Sequence, residues 1–326
     1  MTDLLSNYWV LMPVKAVAVL AIFLVFPLVV GYMEHKVMAH MQARVGPMEA
    51  GRFHGVLQLV ADGIKFVQKE SVVPRAADKW VFTLAPAVAL IPVILVFGFI
   101  PYGPDLVPIR SDVGLFVTLA LSSVSVIGVL MAAWSSANKY SLIGGLRAAA
   151  QLIAYELPLV LAAAAVAMQA GSADLAVIVE RQQFWGWTGW ALLPLAAGFL
   201  VYGTAALAEL TRPPFDMPLA DSEVVFGHLT EYTGLRFAFF LLTEYAGIVA
   251  QSAIAASLFL GGYKGLVLPD GPWFLAAKVL ALSFMVIWFR STYPRLREDQ
   301  LQKFAWVRLV PVSLLLIFVV GLLKVV

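Results

Sequence analysis

The sequence contains no cysteine and few charged residues. Without a thiol the chain forms neither a disulfide nor an iron–sulfur cluster of its own, and it has no thiolate nucleophile. Charged side chains make up only 13% of its residues, whereas about a quarter is usual in soluble globular domains. The net charge of +2 is small and dispersed. Because a nucleic-acid partner needs a basic face or stripe, we expect none for this chain.

Hydrophobic residues are abundant instead, at 61% of the 326 residues with a mean hydropathy of +0.88. They are spread along the whole chain, and their number is larger than the core of one water-soluble domain can bury. A spanning helix needs about 20 mostly apolar residues. We therefore predict an all-α polytopic membrane protein with eight transmembrane helices and additional amphipathic cytoplasmic helices. The predicted spans are residues 11–32, 80–100, 113–134, 142–168, 190–210, 235–261, 273–289 and 307–326.

The loops differ in their content of Lys and Arg. The loops after spans one, three, five and seven hold fourteen, and the opposite loops hold three, Arg110, Arg181 and Lys264. Basic residues are retained on the cytoplasmic side, so we expect both termini on the outer, periplasmic side. The domain prediction is one membrane domain over residues 1–326, with an amphipathic cytoplasmic loop at 33–78 and an acidic cytoplasmic loop at 210–236.

The first loop carries two stripes at helical spacing. Its apolar residues are three or four positions apart: Phe53, Leu57, Val60, Ile64 and Val67. Its polar residues form a second, narrow stripe: His54, Gln58, Asp62, Lys65 and Lys69. One interpretation is a helix that lines a wet cavity. The other is an interfacial helix that lies flat on the membrane with its polar stripe among the headgroups.

Ionisable residues also occur at membrane depth. Glu156 lies on the fourth span with Arg147, Glu209 closes the fifth, and Glu244 lies inside the sixth. An uncompensated charge near the bilayer centre costs about 3 kcal/mol, so we expect these carboxylates to face one another, an arginine or a hydrated path. Pro158 is expected to loosen the fourth helix and favour a hydrated break. The alternative is a set of internal hydrogen bonds that fixes helix packing.

The loop after the fifth span is acidic. Pro213 and Pro214 are expected to stop the fifth helix just after Arg212. The carboxylates of this segment are Glu209, Asp216, Asp221, Glu223 and Glu231. A solvated acidic loop is the ordinary interpretation. Apolar neighbours argue against a loop that only floats in water: Phe215, Met217, Val224, Val225 and Phe226.

Common redox and nucleotide motifs are missing. The four histidines, His35, His40, His54 and His228, all fall in predicted loops, so we expect no transmembrane haem, which needs axial ligands on the spans. Neither GxxxxGK[ST] nor GxGxxG occurs, so the chain does not bind nucleotide through those motifs. Electrons, if they are involved, come from another protein.

Four runs of sequence resemble the quinone-chamber membrane subunit of respiratory complex I, NADH:quinone oxidoreductase, which is called the first or the H subunit. They are EHKVMAHMQARVGP, GVLQLVADGIKFVQKE, AQLIAYELPLVLA and AELTRPPFDMPLADSEVVFGHLTEYTGLRFAFFLLTEYA. The resemblance implies a multi-pass subunit of a bacterial plasma (inner) membrane that forms a quinone tunnel and has no redox centre of its own. It implies that the partners are a lipid quinone as substrate, iron–sulfur subunits of a hydrophilic arm, other membrane-arm subunits and the bilayer, with FMN and iron–sulfur clusters in the partner subunits.

The resemblance also implies roles for individual residues. Those implied at the quinone tunnel or its interface with the hydrophilic arm are Glu34, Lys36, Gln42, Arg44, Asp62, Lys65, Lys69 and Glu70. Those implied in proton coupling are Glu156, Glu209, Arg212, Asp216, Glu223, Glu231 and Glu244.

The chain departs from the family's pattern in two places. It reads GPMEAGRFHGVLQ where members commonly read GPNxVGPxGxLQ, and it has Leu219 where many have a further glutamate. Two alternatives therefore stay open within the same type of subunit: the anchor of a deazaflavin-dependent quinone reductase or of an energy-conserving membrane-bound hydrogenase. A stand-alone secondary transporter is a third alternative, although no inverted repeat is visible.

Overall fold

The computed structural model describes residues 8–183, 186–265 and 269–325. Over these residues every named element is a helix, and the only strand-like pairing is an isolated bridge between Gln183 and Gly186. Eight helices are long and apolar enough to cross a membrane. The prediction of an all-α chain with eight spanning helices is confirmed.

The described helices are numbered here in chain order. They are α1 Tyr8–Met41, α2 Gln58–Gln68, α3 Lys79–Phe99, α4 Gly114–Ser135, α5 Lys139–Ala170, α6 Leu175–Glu180, α7 Leu192–Glu209, α8 Asp221–Val224, α9 Gly234–Phe259, α10 Pro272–Thr292, α11 Glu298–Phe304 and α12 Val310–Val325. Short 3₁₀ turns lie at Gly189–Ala191 and Gly227–Leu229, and a π-helical segment, Ala305–Leu309, joins α11 to α12.

The first helix continues well past the predicted end of its span, to Met41. Residues 33–41 contain neither glycine nor proline, so nothing in them interrupts the helical hydrogen bonds. The chain leaves the helix at Ala43, whose φ is +53°. The prediction that His35 and His40 lie in a loop is therefore wrong, because both are on α1.

The amphipathic helix of the first loop begins later than its stripes indicate. Arg52, His54 and Gly55 have φ values of +60°, +51° and +73°, which a right-handed helix does not contain. Helix α2 starts only at Gln58. The apolar stripe therefore keeps its last three members on the helix, while Phe53 and Leu57 precede it.

Two expectations about prolines are also wrong. Helix α5 runs through Pro158 without a break, because a proline inside an apolar span is tolerated where neighbouring helices cover the freed backbone groups. Helix α7 ends at Glu209, before the position that Pro213 predicts. Thr211 has a φ of +49°, so the backbone has already turned there.

Helices α5 and α9 form the middle of the bundle. Helix α5 packs against α4, α7 and α12, and α9 packs against α1, α3 and α10. Small residues allow close approach of neighbouring helices, as expected in membranes: a Cβ on Gly128 of α4 would lie 2.5 Å from the backbone nitrogen of Ala89 on α3. The space left between α3, α4, α5 and α9 is a cavity whose lining includes polar side chains.

Candidate functional site

Arg212 joins two helices through buried ion pairs. Its Nη1 lies 3.0 Å from Oε1 and 3.1 Å from Oε2 of Glu34 on α1. Its Nε lies 2.9 Å from Oε1 of Glu244 on α9, an ion-pair distance without hydrogen-bond alignment. Only 4% of the Arg212 side chain and 3% of the Glu34 side chain are exposed. The two carboxylates, 210 positions apart in sequence by subtraction of their numbers, thus share one guanidinium.

A second arginine completes this group. Arg290, at the end of α10, also hydrogen-bonds to Oε1 of Glu34, and the Arg212 guanidinium lies 5.2 Å from the ring centre of Tyr245. Burial alone would lower the pKa of Arg212, but Glu244 and Glu34 outweigh it and raise that pKa, so Arg212 stays charged. We call Glu34, Arg212, Glu244 and Arg290 the arginine network. Two cations face two carboxylates in it, which compensates the buried charge.

A cavity of about 130 Å³ lies between α3, α4, α5, α9 and the acidic loop. Its lining includes Glu209, Glu244 and His228, together with Ser122 and Gln251, and is otherwise mostly apolar. We call it the central cavity. Glu244 belongs both to this cavity and to the arginine network, so the two features are continuous.

The other two intramembrane carboxylates have polar partners. Gln251 Nε2 donates to Oε2 of Glu209 at 2.9 Å, and the Tyr202 hydroxyl donates to Oε1 of Gln251 at 2.7 Å. Ser123 hydrogen-bonds to Oε1 of Glu156 through its hydroxyl. The sequence carries a signal for Gln251, since an amide inside an apolar span needs a partner.

The acidic loop is fixed to the helices at its base. The side chain of Gln151 on α5 donates to the carbonyl oxygens of Ala208 and Phe215, both at 2.7 Å. The backbone nitrogen of Leu296 donates to the carbonyl of Pro214 at 2.9 Å. This positions the chain on both sides of Arg212, which explains how a loop arginine reaches two helices.

The apolar residues of the acidic loop are mostly buried. Phe215 and Met217 are each 4% exposed and Val224 is 2% exposed, with Asp216 half-buried between the first two. The expectation for Val225 is wrong, because it is 51% exposed where the chain turns after α8. The side chain of Asp221 lies outside the described residues. The loop packs on the bundle and does not float in water.

Glu223 and Glu231 lie away from the central cavity. Glu223 pairs with Arg147 at 2.5 Å and with Arg295 at 2.7 Å, and its hydrogen bond to Arg147 lowers the pKa of its carboxyl group. Asn138 donates to Oε1 of Glu231 at 2.5 Å. Of the residues implied in proton coupling, the structure thus brings Arg212, Glu209 and Glu244 together and leaves these two at the outer part of the loop.

A second, larger pocket of about 820 Å³ lies between the end of α1 and the residues that follow it. We call it the loop pocket. It is lined by Tyr32, Lys36, His40, Ala43, Arg44, Val45, Gly46, Met48, Phe53, His54 and Val56. The first three are four positions apart and share one face of α1, whereas Glu34 is two positions from Lys36 and points to the opposite side. Helix α1 therefore separates the loop pocket from the arginine network.

The remaining residues predicted for the tunnel lie beside the loop pocket, on α2, or, as Lys69 and Glu70 do, directly after α2. Arg44 Nε donates to Oε1 of Gln42 at 2.7 Å. On α2, Gln58 Nε2 donates to Asp62 at 3.1 Å, and Lys65 lies 3.4 Å from the same carboxylate. Asp62 and Lys65 do not line the loop pocket. Helix α2 has no fully buried residue, so this pair faces a surface of the described chain.

Comparison with known proteins gives a consistent result. A protein-family model described as NADH dehydrogenase matches residues 14–321. The chain is 45% identical over 311 residues to the H subunit of NADH-quinone oxidoreductase from Dehalococcoides mccartyi, covering 95% of this chain and 86% of that protein. It is 44% identical over 295 residues to proteins of the same name from Bacillus cytotoxicus and Bacillus mycoides, covering 89% of this chain and 87% of each.

Proposed function

The chain belongs to the NADH dehydrogenase family, and on that premise we propose that it forms the quinone-binding tunnel of a proton-translocating NADH:quinone oxidoreductase and couples quinone reduction to proton translocation. Its relatives are named as the H subunit of NADH-quinone oxidoreductase, so the chain is a membrane subunit of that complex. Because it has no cysteine, the electrons reach the quinone through partner subunits, which we propose to hold FMN and iron–sulfur clusters.

The arrangement of Arg212 carries this proposal. Arg212 contacts Glu34 on α1, whose other face borders the loop pocket, and it contacts Glu244, which lines the central cavity. Only helix α1 therefore separates a change of charge in the loop pocket from the Arg212 ion pairs, and one of these pairs includes Glu244 of the central cavity. Charges interact strongly across such a distance in a weakly polar interior. The network thus offers a physical connection between a ligand site and intramembrane acids.

We propose the loop pocket as part of the quinone tunnel. Its volume is in the range of small-molecule sites. Tyr32 and Phe53 offer aromatic surface to a quinone ring, and Lys36 and Arg44 offer cations to its oxygens. Cations near those oxygens would stabilise the negative charge that develops during reduction. In this proposal Asp62 and Lys65 lie at the approach to the tunnel.

We propose the central cavity as the start of the proton-coupling path. Glu209 and Glu244 line it, and its volume of about 130 Å³ is enough for several water molecules. Glu156 does not line the cavity, but its carboxylate accepts a hydrogen bond from Ser123. Ser123 is the neighbour in sequence of Ser122, which does line it. Asp216 would then respond near the base of the acidic loop, beside the Gln151 contact to Phe215, and Glu223 and Glu231 would respond at its outer part.

The orientation follows from the distribution of Lys and Arg. We propose that the loops at 33–78 and 210–236 face the cytoplasm of a bacterial cell, with both termini periplasmic. The first loop exposes large apolar side chains, among them Phe53 at 72% and Val67 at 67%. We propose that subunits of the hydrophilic arm and of the membrane arm cover such surfaces in the complex.

The test is the substitution Glu244→Gln in the complete complex, which keeps the size of the side chain but removes its charge and its exchangeable proton. We expect quinone reduction by NADH and proton uptake into inverted membrane vesicles to fall together at unchanged subunit abundance. The matched control is Glu180→Gln, at an exposed position at the end of α6. Parental rates of both processes in the Glu244 variant would contradict the proposal.

A further inference from the structure

His228 belongs to the acidic loop and lines the central cavity. Its side chain is buried, with 8% of the residue exposed, and it lines the cavity together with Glu209 and Glu244. Its Nδ1 has no hydrogen-bond partner among the described residues. Its ring meets Phe240 edge to face, with centres 5.6 Å apart. A buried ring nitrogen without a protein partner needs a water molecule, and the cavity has room for one.

Close packing fixes the position of this histidine. The preceding residue, Gly227, has a φ of +55°, and a Cβ there would lie 2.0 Å from the carbonyl oxygen of Pro218. A Cβ on Gly144 of α5 would lie 2.5 Å from the Cα of Gly227. The 3₁₀ turn that carries His228 is thus pressed against α5 and against its own loop, so the imidazole cannot move away without displacing the backbone.

The surroundings keep this imidazole neutral. Burial lowers the pKa of His228 to about 4, and no described residue forms an ion pair with it. The turn packs against α4 and α5, and α4 carries no ionisable side chain. The carboxylate and guanidinium groups of α5 are Glu156 and Arg147, and each already has a partner elsewhere. The ionisable groups that share the cavity with His228 are the two glutamates.

We propose that His228 is a proton-relay residue in the central cavity. A neutral imidazole has one donor and one acceptor nitrogen, so it can accept a proton at one nitrogen and release the proton of the other. The ring is neutral before and after: one nitrogen accepts a proton through cavity water from one of the two glutamates that line the cavity, and the proton of the other nitrogen passes through cavity water to the other glutamate. This inference rests on the function proposed above and adds a residue that the sequence does not single out.

The test compares His228→Asn and His228→Gln in the complete complex. Both amides keep a donor and an acceptor but do not carry a proton in this way. We expect proton translocation coupled to quinone reduction to fall at least about tenfold, in keeping with the loss of a positioned acid–base group. Oxidation of NADH by a soluble artificial acceptor should be unchanged. The control is Thr230→Val, which removes a hydroxyl bonded to Gly227 in the same turn.

Three outcomes separate this inference from the proposed function. Parental proton translocation in either amide variant would overturn the relay, because an amide would then suffice. If Glu209→Gln, measured in parallel, lowers translocation while the amide variants do not, only the relay fails. If all of these variants keep parental translocation, the coupling function fails with it.

A further variant covers the case in which the amide substitutions disturb the turn. In His228→Ala, added imidazole should restore translocation, whereas pyrrole, a ring of the same size without a basic nitrogen, should not. Equal restoration by both rings would show that the side chain only fills space, and would overturn the relay.

Discussion

The two long loops of this chain differ in what covers their apolar side chains. In the acidic loop, Phe215, Met217 and Val224 are each at most 4% exposed, and Gln151 holds the loop to α5 and α7. In the first loop, the large side chains are open. Those of Phe53, Leu57, Val60, Ile64 and Val67 are between 45% and 72% exposed.

The difference indicates what each loop packs against. The acidic loop completes the interior of its own chain, so its residues contribute to the stability of the subunit. The first loop leaves apolar surface that a soluble monomer rarely exposes, so its residues are free to contribute to contacts with the bilayer or with partner subunits. Substitutions in the two loops should therefore fail in different ways.

The largest effect is expected from Arg212→Met. The substitution leaves Glu244 without its arginine and Glu34 with Arg290 alone, and breaking a buried ion pair costs about 3–5 kcal/mol. We expect a marked fall in subunit abundance and in thermal stability in detergent. The control is Arg297→Met, whose pair with Asp299 is 81% and 63% exposed and contributes at most about 1 kcal/mol. Equal stability of the two variants would mean that the arginine network does not hold the loop.

The sequence predicts features that depend on neighbouring residues better than contacts between residues far apart in the chain. Hydropathy over about 20 residues is local, so the sequence predicts all eight spans to within a few residues at most ends. The pairing of Arg212 with Glu34 spans 178 positions, and no periodicity within one helix reports such a contact. The stripes place the start of α2 too early because the positive φ values at Arg52, His54 and Gly55 interrupt a pattern of side chains that continues through them.

The acids show the same limit. Depth in the membrane predicts that Glu156, Glu209 and Glu244 need partners, and each has one. Which partner each one has depends on how the helices pack, and helix packing is not encoded in any single segment. From the sequence alone, His228 has no assigned role and its loop position only argues against a transmembrane haem, because a loop position gives no sign that the loop folds back into the bundle.

The sharpest comparison of the two loops uses the same change in each. Val224→Asp places a charge at a buried position, which costs several kcal/mol, so we expect loss of the subunit itself. Ile64→Asp places it on a side that is 54% exposed, so the chain should keep its fold while co-purification of partner subunits falls. Immunoblots of membranes and of the purified complex measure the two quantities. Loss of the Ile64 variant from membranes would mean that this face is needed within the chain.

A smaller effect concerns pH. Because burial lowers the pKa of His228 from 6.5 to about 4, the unfolded chain binds a proton there that the folded chain does not. This difference leaves the free energy of unfolding unchanged above pH 6.5 and lowers it as the pH falls toward 4. The decrease is at most roughly 3 kcal/mol. The thermal unfolding temperature in detergent should therefore fall less steeply between about pH 7 and about pH 5 for His228→Phe than for the parental chain. Parallel curves would mean that His228 is not held neutral.

The smallest effect on stability, and the most specific one on function, is expected from Asp62→Asn and Lys65→Ala. Their ion pair is exposed, with 74% of the Lys65 side chain open, so its loss should cost less than about 1 kcal/mol. If α2 lies at the approach to the quinone tunnel, both variants should raise the apparent KM for quinone about two- to tenfold, since a change of roughly 0.4–1.4 kcal/mol in binding has that size. Steady-state quinone kinetics beside an immunoblot measure both quantities. A polar stripe that only meets headgroups tolerates one polar residue for another, so parental kinetics in Asp62→Asn would assign α2 to the membrane surface and remove Asp62 and Lys65 from the quinone site.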